Sequence, residues 1–122
     1  MVAKMAYVGI SRRAAYDIDE IDTYSQQEWG QKVADNYIAS IDLALQRLAD
    51  NPGLLCPESE FSNAFHLYPV REHYLVCSII DQNIYVLTVK HGSVNLPERL
   101  KELQPLLVKE AEFLHRKLKE SQ

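Results

Sequence analysis

Apolar positions along this chain change their spacing twice, and each change marks a change of element. Ala6-Tyr7-Val8-Gly9-Ile10 is a short β-leaning run that ends at Ser11, whose side chain can cap a helix opening at Arg12. From there Ala14, Ala15, Ile18, Ile21 and Tyr24 recur at three and four, the period of a helix with one buried stripe. Asp17, Asp19, Glu20 and Asp22 fill the intervening, solvent-facing positions. Gly30 interrupts the pattern after Trp29, while Ser25-Gln26-Gln27-Glu28 offers a capping box that would restart the helix earlier. Val33, Tyr37, Ile41, Ala44, Leu45 and Leu48 then draw a second helical face, stopped by Asn51-Pro52-Gly53. Two helices with so short a break predict an antiparallel hairpin, with Trp29 packed on the core at its bend.

Residues 53–63 read as loop. Phe65, Leu67 and Val70, interleaved with His66 and Tyr68, suit a strand. Residues 74–80 and 84–89 are dense in β-formers, with Asp81-Gln82-Asn83 as a hairpin connection between them. These three strands predict an antiparallel meander that the first strand joins, with the helical hairpin over one face. Asn95-Leu96-Pro97-Glu98 opens a last helix, Asn95 as cap, and Pro105 is expected to break or kink it. Beyond it, Leu107, Ala111, Leu114 and Leu118 form a clean stripe. The expected fold is α+β: N-terminal strand, antiparallel helical hairpin on an antiparallel sheet of about four strands, and a C-terminal helix. Residues 1–96 form the main domain and 97–122 a helical extension of it.

With 122 residues there is one core to build and no second domain. The longest apolar runs are four residues, too short for a bilayer span or a signal-peptide core, so a cytoplasmic location is expected. Cys56 and Cys77 fit no metal spacing and suit idle thiols in a reducing compartment. The formal charge of −4 is unevenly spread. Residues 17–50 hold eight acids against Lys32 and Arg47, whereas 1–16 and 96–122 are net positive. With no basic face visible, tight nucleic-acid binding is disfavoured and no sequence-specific DNA binding is expected. An acidic helical hairpin is either a solvated face or a means of steering a basic partner.

The order strand, helix, helix, three strands resembles the ParE/RelE superfamily of type II toxins. The stretches that carry it are Ser11-Arg12-Arg13-Ala14 leading into the acidic helix with Asp17, Ile18, Ile21 and Tyr24, then Trp29-Gly30, then Ala34, Tyr37, Ile38, Leu45 and Leu48 ending in Asn51-Pro52. Leu67-Tyr68-Pro69-Val70-Arg71-Glu72-His73 and the run from Ile84 to Gly92 complete it. Together these pieces cover about residues 6–100, and the pattern is nearer ParE than RelE. The resemblance implies a small cytoplasmic toxin with no cofactor, neutralised by a ParD-like antitoxin. ParE-like toxins poison DNA gyrase and arrest growth, a plasmid-stabilising activity. RelE-like toxins cut messenger RNA on the ribosome.

Ribosomal RNA cleavage needs a base, an acid and cations for the phosphorane charge. If the chain is a ribonuclease, His66, Arg71 and His91 are the catalytic candidates. Yet His66 stands where the family often has arginine, Cys77-Ser78 where it has Tyr-Arg, and Ser93-Val94-Asn95 where it has a basic run. These departures favour gyrase poisoning, or a degenerate non-toxic module that only binds an antitoxin. On its strand His66 faces away from Phe65 and Leu67, which suggests a solvent-facing side chain. Arg71, His73 and Arg99 are the candidates for target binding, Arg99 having Glu102 or Glu98 available as ion-pair partners. Leu107, Ala111, Leu114 and Leu118 either pack on the domain's own core or bind antitoxin, gyrase or a second copy. A metal site is not indicated. On this reading, truncation after Leu96 removes toxicity and spares the fold.

Overall fold

The computed structural model describes residues 6–57 and 65–121. Strand β1 (Val8–Ile10) leads into α1 (Arg12–Trp29) and α2 (Gln31–Asp50). A single 3-10 turn (Pro52–Leu54) follows, then β2 (Cys56–Pro57), β3 (His66–Val70), β4 (His73–Ile80), β5 (Asn83–His91) and α3 (Leu96–Glu120). Part of the expected loop, 58–64, lies outside the described residues. Within its described part, Cys56 and Pro57 pair with Leu67 and His66 as a two-residue edge strand.

The sheet order is β1-β5-β4-β3-β2. β3, β4 and β5 form the expected antiparallel meander, while β1 pairs in parallel with β5, which makes the sheet mixed. A chain that leaves β1 and returns through two helices has the crossover that parallel pairing requires. β5 lies between β1 and β4 and is covered on both faces, so its sequence reads as a continuous apolar run. A register shift opposite Val76 and Cys77 lets Val86 and Val89 join the same core cluster despite their odd spacing.

Ser11 caps α1 as expected: its Oγ accepts from the Ala14 N–H at 3.0 Å and donates to the Leu87 carbonyl at 2.8 Å. The cap therefore also pins the helix start to β5. The capping box at Ser25 is not used, and α1 runs unbroken to Trp29. Gly30, at φ 92, is the whole connection to α2, a conformation that L side chains rarely adopt. Asp17 is not simply solvent-facing. It accepts from the Val89 N–H at 3.1 Å and from the Thr88 hydroxyl, tying α1 to β5.

Two clusters fill the interior, one on each face of the sheet. α1 and α2 cover Val70, Leu75, Cys77, Ile84 and Val86. α3 covers Phe65, Val76, Tyr85 and Leu87 on the other face, with Leu100, Leu107 and Ala111 buried and Leu114 and Leu118 packed beside them. The C-terminal stripe thus spends its apolar surface on the domain's own sheet, the first of the two expected uses, and the fold has three layers. Pro105 does not break α3, which is helical from Leu96 to Glu120. Asn95 makes no side-chain cap bond; its carbonyl accepts from the Arg99 N–H at 3.0 Å. Around the β1 edge, Arg13 of α1 grips both oxygens of Glu110 on α3, at 3.0 to 3.2 Å. That hydrogen-bonded carboxylate raises the pKa of the guanidinium further.

Candidate functional site

Two tight turns set the ends of β4. Val70 pairs with His73, which leaves Arg71 and Glu72 as a two-residue loop, and Arg71 takes φ 53. That left-handed conformation costs a non-glycine residue roughly 1–2 kcal/mol. The side chain explains how it is held: Arg71 Nε donates to Ser40 Oγ on α2 at 2.8 Å, and the guanidinium lies 5.5 Å from the Tyr37 ring centre.

Tyr37 organises the rest. Its hydroxyl oxygen accepts from the Glu72 N–H at 3.3 Å and lies 2.5 Å from His73 Nδ1. The two groups share one hydrogen bond, in which the hydroxyl donates when the ring's own proton sits on Nε2 and accepts when it sits on Nδ1. Burial raises the Tyr37 pKa. Burial, helped by neighbouring His91, lowers the pKa of His73 and favours the neutral ring.

His73 and His91 are cross-strand partners with ring centres 5.0 Å apart, edge to face. His91 Nδ1 accepts from the Ser93 N–H at 3.0 Å and from the Ser93 hydroxyl at 2.6 Å. Its Nε2 therefore carries the proton and faces Glu72 Oε2 at 3.4 Å. Four residues from α2, the turn and two strands are thus tied into one polar cluster.

This cluster forms one wall of an open hollow of about 670 Å³. The other wall is the α1–α2 bend, with Tyr24, Trp29 and Val33 lining it and exposed at 59%, 64% and 45%. Trp29 is therefore not core packing, as its sequence position suggested. The one-residue link at Gly30 turns it outward, and it presents the largest apolar side chain of the hollow. Tyr37 was legible only as part of the α2 stripe, and nothing in the spacing separated it from core residues.

Arg71, His73 and His91 are brought together here. His66 is not: it pairs with Cys77 toward the other end of the meander. It does lie on the face opposite Phe65, yet it is only partly exposed, because the helical hairpin covers that face too. Its Nδ1 is buried with no hydrogen-bond partner among the described residues, and burial lowers its pKa. Arg99 lies outside the hollow, exposed at the start of α3, 3.9 Å from Glu102. Cys77 is fully buried and its thiol pKa is pushed up to about 12, so it is inert at neutral pH.

The chain is thus a small α+β domain with a helical hairpin and a meander, and with a solvent-open aromatic and histidine-lined hollow between them. The profile described as "ParE toxin of type II toxin-antitoxin system, parDE" matches residues 8–96, and the chain belongs to that family. It is 29% identical over 86 residues to Toxin ParE1 of Caulobacter vibrioides, covering 70% of this chain and 88% of the relative. It is 28% identical over 96 residues to Toxin ParE of Escherichia coli, covering 78% and 92%. The solved structure "Chromosomal ParDE TA system from P. aeruginosa" shares the fold with a TM-score of 0.63 at 14% identity, covering 72% of this chain and 97% of that one. Most of α3 lies past the family match. Among the described residues no helix is long and apolar enough to cross a membrane.

Proposed function

We propose that this toxin of the ParE family arrests growth by binding DNA gyrase and holding it at the step where DNA is cut, and that a ParD-like antitoxin neutralises it in the cytoplasm. The observation that carries the reading is the chemistry of the hollow. Its polar groups bind one another: Arg71 to Ser40 and Tyr37, His73 to Tyr37, His91 to Ser93 and Glu72. Proton transfer and phosphorane stabilisation need donors, acceptors and cations aimed at the substrate rather than at one another. A fixed polar wall facing exposed Trp29, Tyr24 and Val33 instead has the make-up of a protein contact, where aromatic and arginine anchors dominate.

In this reading Arg71 and His73 touch the target, and Arg99 would extend the contact along the start of α3. The P. aeruginosa structure is described as a ParDE system. By that analogy an antitoxin segment covers the same anchors and competes with the target.

Purified protein is mixed with gyrase, supercoiled plasmid and ATP, then scored for linear DNA after detergent and protease. Linear product that needs both proteins is the expected result, and antitoxin should suppress it. Folded protein that arrests growth but yields no linear DNA would transfer the activity to the ribosome, and to Arg71 and His91.

A further inference from the structure

A second hollow, of about 540 Å³, opens between the N-terminal turn of α1 and the outer face of α3. We propose that it docks an acidic, amphipathic peptide segment of a partner protein. Its floor is apolar: Ile10 and Phe113 are 41% and 50% exposed, with half-buried Leu114 between them and the core. Around that floor stand Arg12, Arg13, Lys109 and Arg116, against Glu110 and Glu112. Arg13 is spent on Glu110. Arg12, Lys109 and Arg116 are exposed and have no ion-pair partner among the described residues.

The charge balance of this lining is positive on a chain whose total is −4. The acidic hairpin repels an acidic segment and this patch attracts it, so the two together orient its approach. A segment with apolar side chains at helical spacing and carboxylates between them satisfies both the floor and the rim. Nucleic acid fits less well. Glu110 and Glu112 meet any anion alike, but a duplex keeps its bases stacked inside and has nothing apolar to place on Ile10 and Phe113. Because its lining shares no residue with the hollow at Trp29, this surface is separate from it and stands whether or not gyrase is the target.

The test is fluorescence anisotropy with the full chain and a labelled synthetic peptide carrying Leu and Phe at helical spacing, with Asp and Glu between. Saturable binding that weakens with salt is expected. Phe113→Ser, and separately the double change Lys109→Glu with Arg116→Glu, should each weaken it roughly tenfold or more. All three positions are exposed, and circular dichroism checks that the variants fold. Amide shifts on titration should centre on Ile10, Phe113 and Leu114. The proposal is overturned by absence of binding, by unchanged binding in both variants, or by equal binding of a peptide with Ser in place of Leu and Phe. Tighter binding of a single-stranded oligonucleotide at the same residues also overturns it, and assigns the patch to phosphate.

Discussion

The Tyr85 hydroxyl lies 2.7 Å from Nδ1 of His115, joining β5 to the last turns of α3. The other nitrogen of that ring lies 3.0 Å from Asp81 Oδ2, in the β4–β5 turn. An ionised Asp81 can only accept, so His115 carries its proton on Nε2 and Nδ1 accepts from Tyr85. The His115 bond, with Lys119 nearby, holds the Asp81 carboxyl below the usual carboxylate range. Asp81 and Gln82 both take positive φ, 51 and 70, as a two-residue I′-like turn requires. Turn, strand and helix are thus joined through one imidazole.

Tyr85→Phe keeps the buried ring and deletes only the donor, leaving Nδ1 of His115 unpaired at a site that is 12% exposed. The expected loss is about 1–2 kcal/mol. Thermal unfolding should show a midpoint several degrees lower, with unchanged far-ultraviolet dichroism. An unchanged midpoint would mean that water replaces the bond at no cost.

Truncation after Leu96 is expected to destroy the fold rather than spare it. Leu100 and Leu107 are fully buried against Tyr85, Phe65 and Leu87, and their removal exposes that whole face. Burial of each leucine contributes roughly 1.5–3 kcal/mol. Two of them reach the low end of the ~5–15 kcal/mol that holds a domain together. The truncated chain should bind a hydrophobic dye and lose near-ultraviolet dichroism. A cooperative unfolding transition in that chain would show that the hairpin-side core suffices. Loss of toxicity on truncation would then be informative, and otherwise it would not.

The helices and the meander were legible because their periods are clean: Ala14 to Tyr24 at three and four, Tyr74 to Ile80 as β-formers. What failed were positions whose fate depends on a layer the local pattern cannot see. His66 looked solvent-facing because alternation gives a side and not what covers it. Trp29 looked buried because aromatic residues usually are, yet a one-residue link leaves no room to fold it inward. β1 carries no mark of its parallel pairing, and the two-residue β2 is too short to have a pattern. In the candidate site, Arg71, His73 and His91 stood out as polar residues at strand ends. Tyr37, which joins them, was hidden in a helical stripe of the period expected for core.

The neutral His73 ring gives stability a pH dependence. Its folded pKa is lowered, so the unfolded chain binds its proton more readily than the native one. Stability linked to this ring is fully present above the ordinary value of 6.5 and is lost as pH falls below it. His66 is shifted the same way and adds to the effect. Urea midpoints should therefore fall as pH drops below the ordinary value of 6.5. His73→Gln should flatten that slope. An equal slope in the variant would assign the effect to His66 alone, and His66→Gln would then remove it.

Arg71 separates stability from activity most sharply. Arg71→Gly removes the left-handed backbone penalty of roughly 1–2 kcal/mol and forfeits the contacts to Ser40 and Tyr37. Those contacts are exposed and each contributes about 0.5–1.5 kcal/mol, so the two effects nearly cancel. The melting temperature should stay within a few degrees of the parent. The surface cation, however, is gone from the wall facing Trp29. If Arg71 anchors the target, the amount of protein needed for half-maximal gyrase-dependent linear DNA should rise about tenfold or more. Arg71→Lys tests the geometry, since an ammonium keeps the charge but loses the planar fork. Potency restored by lysine would make charge the requirement, and potency still lost would make it the guanidinium held over Tyr37. Full potency in Arg71→Gly, with the fold intact, would remove Arg71 from the contact and leave the strained turn as a device for placing Tyr37, Glu72 and His73.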